Sequence, residues 1–108
     1  MTAIELARFT VRPDDADEML ARRPAMAAAL RDVPGFVGLR LVRLDERTWL
    51  DVVEWTDLAS ALAAQQDVMG LPACAAVFEL IEEVVGMEHG EVVAGSHVST
   101  TAQEPVRA

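Results

Sequence analysis

The sequence predicts an α+β domain: one antiparallel four-stranded sheet with helices on one face, in the order β-α-β-β-α-β. Three observations carry this. TAIELARFTV (2–11) alternates with apolar residues on both faces, as a strand covered on both sides does. FVGLRLVRL (36–44) and TWLDVVEWT (48–56) are two alternating runs joined only by Asp45-Glu46-Arg47, which makes a tight hairpin. Between these runs and the last apolar one, EEVVGMEHGEVV (82–93), stand Ala-rich segments with helical spacing.

The elements follow in order. In the first strand Ile4, Leu6, Arg8 and Thr10 share one face, and Ala3, Glu5, Ala7, Phe9 and Val11 the other. Pro13 ends it, and Asp14 or Asp15 can cap a helix whose acidic first turn suits the helix dipole. That helix runs to about Val33, with Met19, Met26, Leu30 and Val33 on its apolar side. Pro24 lies inside it, removes a hydrogen bond and predicts a kink, or two short helices meeting at Arg23-Pro24. Pro34-Gly35 is a turn. Thr56 or Asp57 caps a second helix through about Val68, Met69-Gly70-Leu71-Pro72 breaks it, and Pro72 to Ile81 forms a short third helix. Residues 1–94 read as one domain, and 95–108 as a polar, flexible tail. The order is the ferredoxin-like split βαβ arrangement, which leaves one apolar sheet face bare. Covering that face predicts a two-fold homodimer in which two sheets pack together.

Composition excludes several functions. The net charge of -9, from 18 acids against 9 bases, repels phosphate backbones and anionic lipid, so nucleic acid and membrane are excluded as partners. Cys74 is the single cysteine, so no internal disulfide forms, and no CxxC or HExxH occurs. MTAIELARF carries an acid and no long apolar run, which predicts a cytoplasmic protein without signal peptide or membrane span.

Chemistry concentrates on the third strand. Trp49, Asp51, Val53 and Trp55 alternate and so point to one side. The indoles of Trp49 and Trp55 could wall a flat aromatic ligand or pack as core, and Phe9 and Phe78 have the same two readings. Asp51, if buried, must be paired or protonated. Arg40 or Arg43 on the neighbouring strand could pair with it, depending on hairpin register. Buried with a raised pKa, it could act as a general base on a phenolic or enolic substrate. Arg8 reads as the inward polar residue of the first strand, able to stabilise an enolate or peroxide, or to pair with Glu88 or Asp51. His89 on the last strand could take a proton near neutrality or sit at a rim. His97 falls in the tail. Cys74, Met19 and Met26 read as core fillers. One strand histidine does not supply the three or four ligands of a zinc site, so no metal is expected.

IELARFTV, PGFVGLRL, TWLDVVEWTDLASALAA and FELIEEVVGMEH together resemble the antibiotic biosynthesis monooxygenase-like family of dimeric α+β barrel proteins, over residues 3–93. The resemblance implies one ligand pocket per subunit between sheet and helices. The activities it implies are cofactor-independent oxygenation of aromatic phenols, quinol oxidation or haem breakdown. The family's haem-degrading pattern has an Asn on the first strand, a Trp near the third and a His on the following helix. Only Trp55 matches it, because the first strand offers Glu5, Arg8 and Thr10 and residues 57–81 hold no His. The phenol-oxygenating set of Asn, Trp, Tyr and Arg is also incomplete, since the chain has no Tyr and no Asn. The expectation is therefore a cofactor-independent monooxygenase-like protein for a small apolar or aromatic compound, polyketide- or quinol-like. Asp51, Arg8 and His89 would be its catalytic groups, Trp49, Trp55, Phe9 and Phe78 its pocket, and it would need no cofactor. A non-catalytic small-molecule-binding or structural dimer is the alternative. Haem binding, with His89, Cys74 or a Met as axial ligand, is a third.

Overall fold

The computed structural model describes residues 1–96, and His97 lies outside them. Four strands, β1 (Ala3–Val11), β2 (Phe36–Arg43), β3 (Thr48–Trp55) and β4 (Ile81–Glu91), form one sheet. Every neighbouring pair is antiparallel, in the spatial order β2-β3-β1-β4. Three helices, α1 (Ala16–Leu30), α2 (Leu58–Met69) and α3 (Pro72–Phe78), connect the strands, so the ferredoxin-like α+β arrangement is the observed one.

Local chemistry sets the element ends. Asp57 accepts from the Ser60 backbone N–H at 2.7 Å and caps α2. Asp45 Oδ1 accepts from the N–H groups of Arg47 and Thr48 and closes the β2–β3 hairpin. Gly35 adopts φ +86°, and its carbonyl accepts from Thr56 N–H at 2.8 Å, tying the start of β2 to the end of β3. At the start of α1 the expectation is only partly met. Pro13–Asp15 makes one 3-10 turn, and Asp15 occupies the cap position without a side-chain cap bond.

α1 is one continuous helix through Pro24, not two short helices meeting at Arg23-Pro24: Met19, Arg23, Met26 and Leu30 are buried on both sides of it, so packing offsets the lost hydrogen bond. α3 ends at Phe78, short of the predicted Ile81, because Ile81 pairs with Val11 and opens β4.

The core lies between the helices and one sheet face. Phe9, Val11, Met19, Trp55, Cys74 and Val77 are fully buried there. Each large apolar side chain contributes about 1.5–3 kcal/mol by leaving water. On the sheet's other face Ile4, Leu6, Leu50 and Val52 are half-buried beside exposed Arg8, Arg40 and Val42, and no described element covers them. No described helix is long and apolar enough to cross a membrane.

Candidate functional site

Alternation on the two central strands brings Glu5, Ala7 and Phe9 of β1 beside Asp51, Val53 and Trp55 of β3, on the helix side. Ala7 pairs with Asp51 and Glu5 with Val53, so the two carboxyl groups are diagonal neighbours. These side chains floor a cavity of about 590 Å³. Met26 and Leu30 of α1 line it, as do Val68 and Met69 of α2 and Cys74 and Phe78 of α3. Glu82, Glu83, Val84 and Met87 of β4 complete the lining. A volume of this size suits a small organic ligand, for which mostly apolar walls with a few polar groups are the usual setting.

Glu5 is the polar group with the most freedom in this floor. Its side chain is 16% exposed. Trp55 Nε1–H donates to its Oε1 at 3.2 Å, and His89 Nε2 stands 3.6 Å from the same oxygen. Among the described residues no donor reaches its other oxygen. Burial pushes the Glu5 carboxyl above its ordinary range, against the opposing pull of His89 and the Trp55 hydrogen bond, while Asp51 adds to the rise. His89 Nε2 is itself buried and lacks a hydrogen-bond partner among the described residues.

Asp51 is held differently. Arg23 of α1 grips it with both arms, Nη2 to Oδ1 at 2.5 Å and Nη1 to Oδ2 at 3.3 Å. Burial raises the Asp51 carboxyl, and the Arg23 hydrogen bonds and charge oppose that rise. A carboxylate in this grip orients and polarises, and its proton affinity is limited by the neighbouring cation.

The structure brings some of the predicted site together and parts the rest. Asp51, Trp55, Phe9 and Phe78 line the cavity. His89 lies behind Glu5 and does not line it. Arg8 does not belong to it: the residue is exposed on the opposite sheet face, paired with Leu50 and Gly86, because the inward set of β1 is the one containing Glu5. Trp49 is buried but outside the cavity, at the hairpin end of its row, with the Arg43 guanidinium 4.6 Å above its ring. Neither arginine proposed for Asp51 holds it. Arg40 faces the far side with Val52, and Arg43 also donates to the carbonyls of Asp45 and Glu46.

Glu5 and Arg23 are the residues that sequence reasoning missed. Arg23 falls four residues after Met19 and three before Met26, on the stripe already read as apolar, and that spacing was the available signal.

Among the described residues no three His, Cys, Asp or Glu side chains group as metal ligands. A haem needs an axial donor and cations for its propionates. Among the described residues the lining offers Cys74, whose thiol burial pushes up, and the thioethers of Met26, Met69 and Met87, but no His or Arg. These residues do not fit a haem.

A model of the antibiotic biosynthesis monooxygenase family matches residues 2–85. No curated protein matches the chain in sequence. Among solved structures, a point mutant of SnoaB, a cofactor-independent oxygenase from Streptomyces nogalater, is 26% identical, covering 90% of this chain and 96% of that one, with a TM-score of 0.62. A candidate antibiotic biosynthesis monooxygenase from Bordetella bronchiseptica is 20% identical, covering 86% and 98%, with a TM-score of 0.69. The haem-degrader MhuD from Mycobacterium tuberculosis, solved with two haems in its active site, is 20% identical, covering 88% and 99%, with a TM-score of 0.66. The last two share the fold.

Proposed function

Since the chain belongs to the antibiotic biosynthesis monooxygenase family, we propose that it is a cofactor-independent oxygenase of an apolar, electron-rich aromatic compound, polyketide- or quinol-like. The observation that carries this is the cavity of about 590 Å³, mostly apolar, with the carboxylate of Glu5 in its floor keeping one oxygen free of any donor among the described residues. The likeness to SnoaB, named a cofactor-independent oxygenase, supports the oxygen chemistry.

In this mechanism Glu5 takes the proton of a phenolic or enolic O–H, and its raised proton affinity suits it to that exchange. The resulting anion is electron-rich and passes one electron to dioxygen. The two radicals combine into a carbon–oxygen bond. Where that carbon carries two hydrogens, the O–O bond then breaks and water leaves. One oxygen atom stays as a new carbonyl, and the four electrons lost by the CH₂ carbon reduce O₂. The protein contributes desolvation, orientation between Trp55, Phe9 and Phe78, and the proton acceptor. Asp51, held by Arg23, contributes orientation instead of proton transfer.

The half-buried apolar residues of the open sheet face support the second part of the proposal, a homodimer through that face. A cytoplasmic setting suits the buried, unpaired Cys74.

The test is oxygen uptake with anthrone-type and dihydroxynaphthalene substrates. Uptake above the buffer rate is expected, with a loss of about 10²–10⁴-fold in Glu5→Gln. Ligand binding without uptake, or full uptake in Glu5→Gln, would instead favour the non-catalytic binding dimer, for which the ion-paired state of Asp51 already argues.

A further inference from the structure

Among the described residues, the charges that reach the cavity are all of one sign: Glu5, Asp51, Glu82 and Glu83 line it, and no described Arg or His does. Two of the four are matched from behind, Asp51 by Arg23 and Glu82 by Arg47 at 2.8 Å. Glu5 has no arginine in ion-pair range among the described residues, only His89 at 3.6 Å. The chain contains no lysine. Of the nearby arginines, Arg8 and Arg40 lie on the far sheet face, and Arg22 is bound to Glu18, Glu79 and the Ala76 carbonyl.

We propose that the cavity selects by charge among the hydroxyarenes of the proposed function: it takes the neutral ones and rejects the same ring systems once they carry a carboxylate. This goes further than the cavity's being the ligand site, on which it rests. A neutral O–H can donate to the free Glu5 oxygen, replacing the hydrogen bond to water that entry removes. A carboxylate offers no donor, leaves water without a cation to meet it, and faces Glu5. Two like charges about 6 Å apart at an effective dielectric of about 20 repel enough to cost about a hundredfold in affinity. Haem, with two propionates, falls in the rejected class even though a relative of this fold holds it.

The experiment compares 2-naphthol with 2-naphthoate, which share a ring system and differ in charge at neutral pH. Binding is read by calorimetry and by quenching of tryptophan emission, since Trp55 lines the cavity. In the wild-type protein naphthol should saturate, with naphthoate at least about tenfold weaker. Glu5→Gln should bring the two within about threefold, by improving naphthoate. Glu83→Gln, at an exposed position where folding is not at stake, should narrow the gap in the same direction by a smaller factor. Haemin should give no saturable Soret shift.

Equal affinities in the wild type overturn the proposal, as does a gap that both variants leave unchanged, or saturable haemin binding. If neither naphthalene binds, the cavity is not the ligand site and the proposed function falls too. If naphthol binds and naphthoate does not, but no substrate consumes oxygen, charge selection stands and oxygenation alone falls.

Discussion

Replacing Arg23 by Met isolates the Asp51–Arg23 pair. Arg23 is the one buried charged residue among those described, 8% exposed, and Met matches its stem in the stripe of Met19, Met26 and Leu30. The substitution leaves the Asp51 carboxylate inside without its cation, and breaking such a pair typically costs about 3–5 kcal/mol. Protonation limits that cost. Asp51 has an ordinary value of 3.8, so holding it neutral at about pH 7 costs about 4.4 kcal/mol, at about 1.36 kcal/mol for each pH unit of the gap. The sign follows. In the variant the folded state keeps a proton that the unfolded state has lost. Stability therefore falls as pH rises from the ordinary carboxylate value through the raised one. Urea unfolding at about pH 7 should show a loss of about 3–4 kcal/mol relative to wild type, shrinking to about 1 kcal/mol near pH 4. The double variant Arg23→Met, Asp51→Leu should recover most of the loss, because neither charge is left alone. A loss at pH 7 below about 1 kcal/mol, or one equally large at pH 4, would refute the reasoning, since lost packing alone has no such pH dependence.

Glu5→Gln should remove a second pH dependence of the same sign. The raised Glu5 carboxyl makes the wild type less stable as pH rises from 4.5 through its folded value, and the wild-type-minus-variant difference in thermal unfolding should show that slope. Gly35→Ala should cost about 2–4 kcal/mol in calorimetry, from positive φ and from overlap of the new β-carbon with the Ser60 side chain. Gly90→Ala, where a β-carbon meets nothing, is its control and should change little. Val52→Lys on the open sheet face should turn a dimer into a monomer in sedimentation without unfolding it; a monomeric wild type would sink the proposed interface.

Much of the fold was legible because alternation and turn chemistry act locally. The row Trp49, Asp51, Val53 and Trp55 could be read from spacing alone, and it does share one face. The two faces of β1 were also separable, but not which of them meets the helices. Both are largely apolar, and that is a tertiary choice. For this reason the reading of Arg8 as the inward polar residue fails: the face that turns in is that of Glu5. Strand register offers Asp51 a partner across the hairpin, but its partner is Arg23 on a helix, 28 residues away in sequence, a contact no local rule encodes. Trp49 and Trp55 look equivalent in the strand, yet only Trp55 reaches the cavity, because the helices leave space over one end of the row.

The strand order β2-β3-β1-β4 has one more consequence. The groups able to move or orient a proton, Glu5 and Asp51, stand on the two inner strands, each hydrogen-bonded on both sides. The surfaces that shape the space above them, Met26, Val68, Met69 and Phe78, come from helices, whose side chains can change size without disturbing a ladder. The proton-handling groups are thus confined to the sheet, while much of the surface that shapes the ligand space lies on the helices. A lineage built on this sheet could exchange one ring system for another by remodelling its roof, with the floor left intact.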